Sequence, residues 1–120
     1  MILIIGGAYQ GKLSFAMETF ELKEEDIYTC SAGNIDFSRR CICALEEFAW
    51  DHPDPAAYFR EHREDWEDKI LILRDVFCGV VPMDPQTRLW RQKTGRLAQY
   101  LSREAKQVSR IFCGLEQRLK

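Results

Sequence analysis

The chain has no apolar run near the ~18 residues that cross a bilayer. Met1–Ile5 is also too short, and lacks the basic flank, to be a signal peptide. A cytoplasmic location is the expectation. Histidine is scarce, with only 2 residues, and the 5 cysteines include no C-x-x-C. Zinc-knuckle spacing is therefore absent. The single C-x-C, Cys41-Ile42-Cys43, sits in a helical pattern that would splay its side chains by roughly 200°. Free buried thiols are expected. Neither charge sign dominates: 17 Lys and Arg stand against 19 Asp and Glu, a net charge of −2. That balance gives no electrostatic reason to expect nucleic-acid binding. Repeats, low-complexity stretches and linkers are missing too, so residues 1–120 read as one domain, and 46% hydrophobic with 30% charged residues is a globular composition.

What is present is concentrated at the start. The apolar run Met1–Ile5 reads as a buried strand, Gly6-Gly7-Ala8-Tyr9-Gln10-Gly11-Lys12 as a glycine-rich turn, and a helical pattern begins directly behind. Gly6 and Gly11-Lys12 stand at phosphate-loop spacing. Glycines let backbone N–H groups converge on an anion, and the following helix adds its positive end. Gly6, Gly7, Ala8, Tyr9, Gln10, Gly11, Lys12, Leu13 and Ser14 are thus the candidate nucleotide-binding residues, with Lys12 neutralising phosphate charge. The hydroxyl that normally helps hold Mg²⁺ is replaced by Leu13. Ser14 lies one residue late, about 100° further round the helix. The competing reading is a tight β–α turn that binds nothing.

Along the chain, Leu13, Ala16, Met17 and Phe20 form the apolar stripe of a first helix over 12–22. A short strand is expected over Asp26–Cys30 and a turn at Ser31–Asn34. Ile35–Trp50 reads as a helix, stopped by Pro53 and Pro55. Asp54 as N-cap and Pro55 at the first helical position open a third helix to about Asp65, its charges a solvated face. Lys69–Leu73 has the continuous apolarity of a central parallel strand. Asp75 follows it, placed to face the loop where ligands sit in open α/β sheets, directly or through a Mg²⁺ ion; a capping carboxylate is the alternative. Asp84-Pro85 starts the longest helix, with Leu89, Trp90, Leu97, Tyr100, Leu101 and Ala105 as its stripe. Gly95 interrupts it at roughly 1 kcal/mol, which points to close packing or backbone approach there. Gln107–Cys113 reads as the last strand and Gly114–Lys120 as a tail. The whole predicts an α/β fold, a mainly parallel sheet of about four strands with helices on both faces.

Several segments together resemble the adenosylcobinamide kinase / adenosylcobinamide-phosphate guanylyltransferase family of cobalamin biosynthesis. Gly6–Leu13 is similar to its GGARSGKS-type loop, and Arg74–Pro82 to its Asn-Glu-Val-Gly-x-Gly-Ile-Val-Pro stretch. Gly95-Arg96-Leu97-Ala98-Gln99 matches its Gly-Arg-Leu-x-Gln element, and Gly114–Lys120 its terminal Gly-Leu-x-x-Arg-Leu-Lys. The resemblance implies a three-layer, RecA-like phosphate-loop fold, often a homotrimer. It further implies GTP or ATP as nucleotide, with phosphorylation of the corrinoid's aminopropanol arm and then GMP transfer through a guanylylated histidine. Ile35–Trp50, where that histidine is expected, has none. His62, followed by Arg63, is the one faint candidate acceptor, against a plain surface histidine. Two functions stay open: a short kinase of this family with Lys12 and Asp75 as catalytic groups, or a non-catalytic remnant that binds a nucleotide, a corrinoid or a protein.

Overall fold

The computed structural model describes residues 1–31, 33–76 and 82–120. The elements run β1 (Ile2–Gly6), α1 (Lys12–Phe20), β2 (Ile27–Thr29), β3 (Cys41–Cys43), α2 (Leu45–Asp51), α3 (Pro55–Glu61) and α4 (Arg63–Trp66). They continue with β4 (Ile70–Arg74), α5 (Pro85–Glu104), β5 (Gln107–Phe112) and β6 (Leu115–Arg118). The described strands form one sheet in the order β2-β3-β4-β1-β5-β6. Every neighbouring pair is parallel except β5 with β6.

Alternation along the strands divides the core into two layers. Leu3, Leu71, Leu73 and Val108 point to the face covered by Phe48 of α2, Phe59 of α3, and Leu97 and Leu101 of α5. Ile4, Ile70, Ile72 and Ile111 point to the opposite face, covered by Ala16 of α1 and by Leu22. Ile70–Leu73 is buried throughout because β4 has a neighbour on each edge and helices on each face. Each large aliphatic side chain so buried stabilises the fold by roughly 1.5–3 kcal/mol. Trp66 is also buried, and its indole N–H donates to the Phe59 carbonyl at 2.7 Å, so its polar atom is satisfied. No described helix is long and apolar enough to cross a membrane.

The topology fixes where a ligand can sit. β1 lies between β4 and β5, the chain leaves β1 through α1 on one face, and it leaves β4 through α5 on the other. A crevice therefore opens beyond the carboxyl ends of β1 and β4, at the switch point of the sheet.

Helix starts agree with the sequence. The Asp54 carboxylate accepts from the Ala57 N–H at 3.1 Å, and that of Asp84 from the Thr87 N–H at 3.0 Å, each with proline at the first helical position. Four expectations are corrected. Ile35–Trp50 is not one helix: Cys41–Cys43 is a three-residue strand, all buried, and Ala44 takes a left-handed φ of 59° before α2 begins. Cys41 and Cys43 accordingly share one face of the sheet instead of diverging, because side chains alternate along a strand. The Gly114–Lys120 tail is largely a strand, β6, joined to β5 by a two-residue turn with positive φ at both Cys113 and Gly114. With β3 and β6 added, the described strands number six, not four. Smaller differences are the break at His62 between α3 and α4, and Leu89, which is exposed instead of lying in the core stripe. Of the expected turn at Ser31–Asn34, Ala32 lies outside the described residues; so do Phe77–Val81, most of the Arg74–Pro82 stretch.

Candidate functional site

The glycine-rich loop occupies the switch point. Gly6, the last residue of β1, sits level with Arg74 of β4 and Ile111 of β5. A Cβ at Gly6 would lie 2.5 Å from the Ile111 carbonyl oxygen, so only glycine allows the strands this approach. Gly11 is the N-cap of α1 and holds a φ of 91°, open only to glycine without strain. It offers no side-chain cap, which leaves the first-turn amides of α1, without intrahelical acceptors, facing the loop. Tyr9, with a φ of 60°, is fully exposed at the loop's tip.

The loop is lashed to the β5–β6 turn. The Gln10 carbonyl accepts from Gly114 N–H at 2.9 Å, and its side-chain oxygen from Cys113 N–H at 2.6 Å. On the other side, Asp75 N–H donates to the Gly6 carbonyl at 3.0 Å. Asp75 therefore sits beside the loop: a Cβ on Gly7 would be 3.7 Å from its carboxylate.

Lys12 points into this cradle, its ammonium donating to the Gly7 carbonyl at 2.7 Å. Burial pulls its pKa down, opposed by the Glu46 and Asp75 carboxylates. Glu46 is the residue the sequence reading missed. It lies in the first turn of α2, directly beyond β3, and is buried at 8% exposure. Its carboxylate accepts from Arg74 N–H at 3.0 Å, and its carbonyl from the Trp90 indole at 2.7 Å. The positive end of α2 adds further support for the charge. A cavity of about 260 Å³ is lined by Gly11, Lys12, Leu13, Cys43, Ala44 and Glu46.

A family phosphate loop would supply a hydroxyl for Mg²⁺ after the lysine. Here that position holds the apolar, 39% exposed Leu13, and among the described residues no group of three His, Cys, Asp or Glu gathers as a metal cage. Asp75 is the carboxylate nearest the loop's mouth, but the hydroxyl-plus-carboxylate pair is incomplete. Mg²⁺ is commonly held by one or two carboxylates together with the nucleotide's phosphates, so Asp75 is the residue that would hold it, without the hydroxyl that Leu13 replaces.

His62 is placed elsewhere. Its ring stacks on Tyr58, centroids 4.1 Å apart, and its Nδ1 lies 2.7 Å from the Tyr58 carbonyl. Phe37 lies beside both rings, its centroid 6.2 Å from that of His62 and 6.4 Å from that of Tyr58. None of its described contacts is to a loop residue.

A second concavity adjoins the site along α5. Arg88, Arg91, Gln92, Arg96 and Gln99 line a groove of about 390 Å³ around Gly95. Arg91 and Pro82 are shared with a cavity of about 380 Å³ that reaches Ala8, Arg74 and Asp75 at the loop's mouth.

No curated protein matches the chain. One family model does, described as cobinamide kinase / cobinamide phosphate guanyltransferase, over residues 53–119. The matched span runs from just before α3 to the end of β6. It takes in Asp75, the α5 arginines and the turn that holds Gln10. More than half of the sequence is thus accounted for by one family model, and the chain belongs to the cobinamide kinase / cobinamide phosphate guanyltransferase family, with a role of that kind in cobalamin biosynthesis.

Proposed function

We propose that the loop binds the triphosphate of GTP or ATP and that the chain performs the kinase half of the family's chemistry on a corrinoid hydroxyl. The observation that carries this is the cradle itself: Lys12 held 2.7 Å from the Gly7 carbonyl, at the uncapped N-terminus of α1, with Glu46 and Asp75 facing it. A bound triphosphate would take over Lys12 from that carbonyl and offset the desolvation of its ammonium. Backbone amides from Gly6 to Lys12 would surround the phosphates, and first-turn amides of Leu13 and Ser14 would add to them. Asp75 would orient the acceptor hydroxyl and take its proton as the phosphoryl group transfers. Phosphoryl transfer depends mainly on positioning and charge neutralisation, and Lys12 supplies part of both.

Leu13 favours a second reading, a family member that binds without turnover. The absence of a loop-facing histidine among the described residues argues in the same direction for the guanylyl step. Calorimetric titration with GTP and ATP, with and without Mg²⁺, separates the outcomes. Micromolar binding that disappears in Lys12→Ala is expected, with Leu13→Ser strengthening its dependence on Mg²⁺. Binding followed by no phosphate transfer to adenosylcobinamide would select the second reading. Failure of millimolar nucleotide to bind at all would overturn the site.

A further inference from the structure

α5 carries Arg88, Arg91, Lys93, Arg96 and Arg103 against a single carboxylate, Glu104, in a chain whose net charge is −2. The cations are not scattered. Arg88, Arg91, Gln92, Gly95, Arg96 and Gln99 recur at helical spacing and line one groove of about 390 Å³. Gly95 sits within it, a residue that weakens a helix interior. Among the described residues no carboxylate forms an ion pair with Arg88 or Arg96. Arg88 is turned along the helix, its guanidinium donating to the Met83 carbonyl at 3.2 Å. Two side-chain amides, Gln92 and Gln99, supply neutral donors alongside the guanidinium forks.

We infer that this groove is a second anion subsite that takes a small phosphate monoester, and that it communicates with the loop's mouth past Arg91. Guanidinium groups match phosphate oxygens two at a time, and a monoester carries close to two negative charges at neutral pH. The groove does not end blindly: Arg91 and Pro82 also line the adjoining cavity with Ala8, Arg74 and Asp75. A phosphorylated product formed beside Asp75, which rests on the kinase reading proposed above, would have the groove's arginines close by. A long polyanion suits it less, because the rest of the surface is net negative.

The two anion sites are separable by design, since Lys12→Ala removes the loop's cation and leaves α5 intact. The probe is propyl phosphate, titrated into the Lys12→Ala chain at about 150 mM salt, where surface charge is screened beyond ~8 Å. Backbone amide shifts in NMR spectra report its position. Expected is saturable binding with shifts centred on α5, weakened about tenfold by Arg88→Gln and by Arg96→Gln, and more by both. The thermal midpoint of each variant should match its parent, showing that the fold is unaffected. Absence of saturable binding in the Lys12→Ala chain would overturn the subsite. Shifts elsewhere, or binding indifferent to both substitutions, would do the same. Oligonucleotide binding through Arg88 and Arg96 without propyl phosphate binding would replace it with a polyanion surface. The nucleotide titration of the native loop is a different measurement, so either site can fail while the other stands.

Discussion

The glycine-rich loop beyond the carboxyl end of β1 and the neighbouring α5 groove are built by opposite means. The loop is a main-chain device: Gly6 admits the Ile111 carbonyl, Gly11 holds a left-handed φ, and Gln10 ties the turn to the β5–β6 hairpin. The groove is a side-chain device, arginines and glutamines on an unbroken helix whose opposite face packs Leu97 and Leu101 into the core. A main-chain site is rigid and depends on the fold around it. A side-chain site is laid over a fold that exists without it. Substitutions should therefore injure the loop through stability and the groove through binding alone.

Gly6→Ala gives the largest expected effect. The new Cβ meets a backbone oxygen at 2.5 Å, so strands β1 and β5 must separate. A loss of about 3 kcal/mol is expected, in the range of overpacked cores, and chemical denaturation would measure it. A stability unchanged from the native chain would show that the sheet yields easily and break the contrast.

Gln10→Ala is the milder version. It removes the bond to Cys113 N–H at the exposed turn, where water can replace it. A loss of about 1 kcal/mol is expected, with faster hydrogen exchange at Cys113 as the local signature.

The smallest effect is one of pH, and it sharpens the contrast instead of testing stability. Burial lowers the Lys12 pKa from its ordinary 10.5, so the ammonium loses its proton earlier than an exposed lysine would. The sign follows. The native chain carries a penalty for holding Lys12 charged at neutral pH, and that penalty is relieved as pH rises through the lowered value toward 10.5. Anion affinity at the loop should fall across the same window. Guanidinium groups keep their charge there, so affinity at the α5 groove should persist. Titrating propyl phosphate into the native chain and the Lys12→Ala chain between neutral and alkaline pH measures both. A loop affinity that outlasts the groove's would reverse the assignment.

The helix starts at Asp54-Pro55 and Asp84-Pro85 were legible because a cap and a proline act through their nearest neighbours. β3 was not. Cys-Ile-Cys is three buried residues in an apolar stretch that also fits a helical period, and only pairing with β2 and β4 makes it a strand. β6 was hidden for the opposite reason, since Leu115–Arg118 is exposed throughout and shows no buried face. Gly114, which takes positive φ in the two-residue turn, is the one residue-level cue to it. Glu46 carried no sequence signal at all. Its carboxylate belongs to the site because β3 and β4 bring α2 to within reach of Lys12 and Arg74.

The sequence by itself determined the strand–glycine turn–helix unit, the family, and the identity of Lys12 as its cation. The first and third rest on backbone freedom or spacing within a few residues, and the family on several short motifs in order along the chain, none of which a distant contact has to supply. Tertiary structure decided what surrounds them: the hairpin that anchors Gln10, the buried Glu46, and the route from Asp75 to the arginines of α5. Those depend on β1 standing between β4 and β5, a choice made by the packing of two faces at once, which no local pattern encodes.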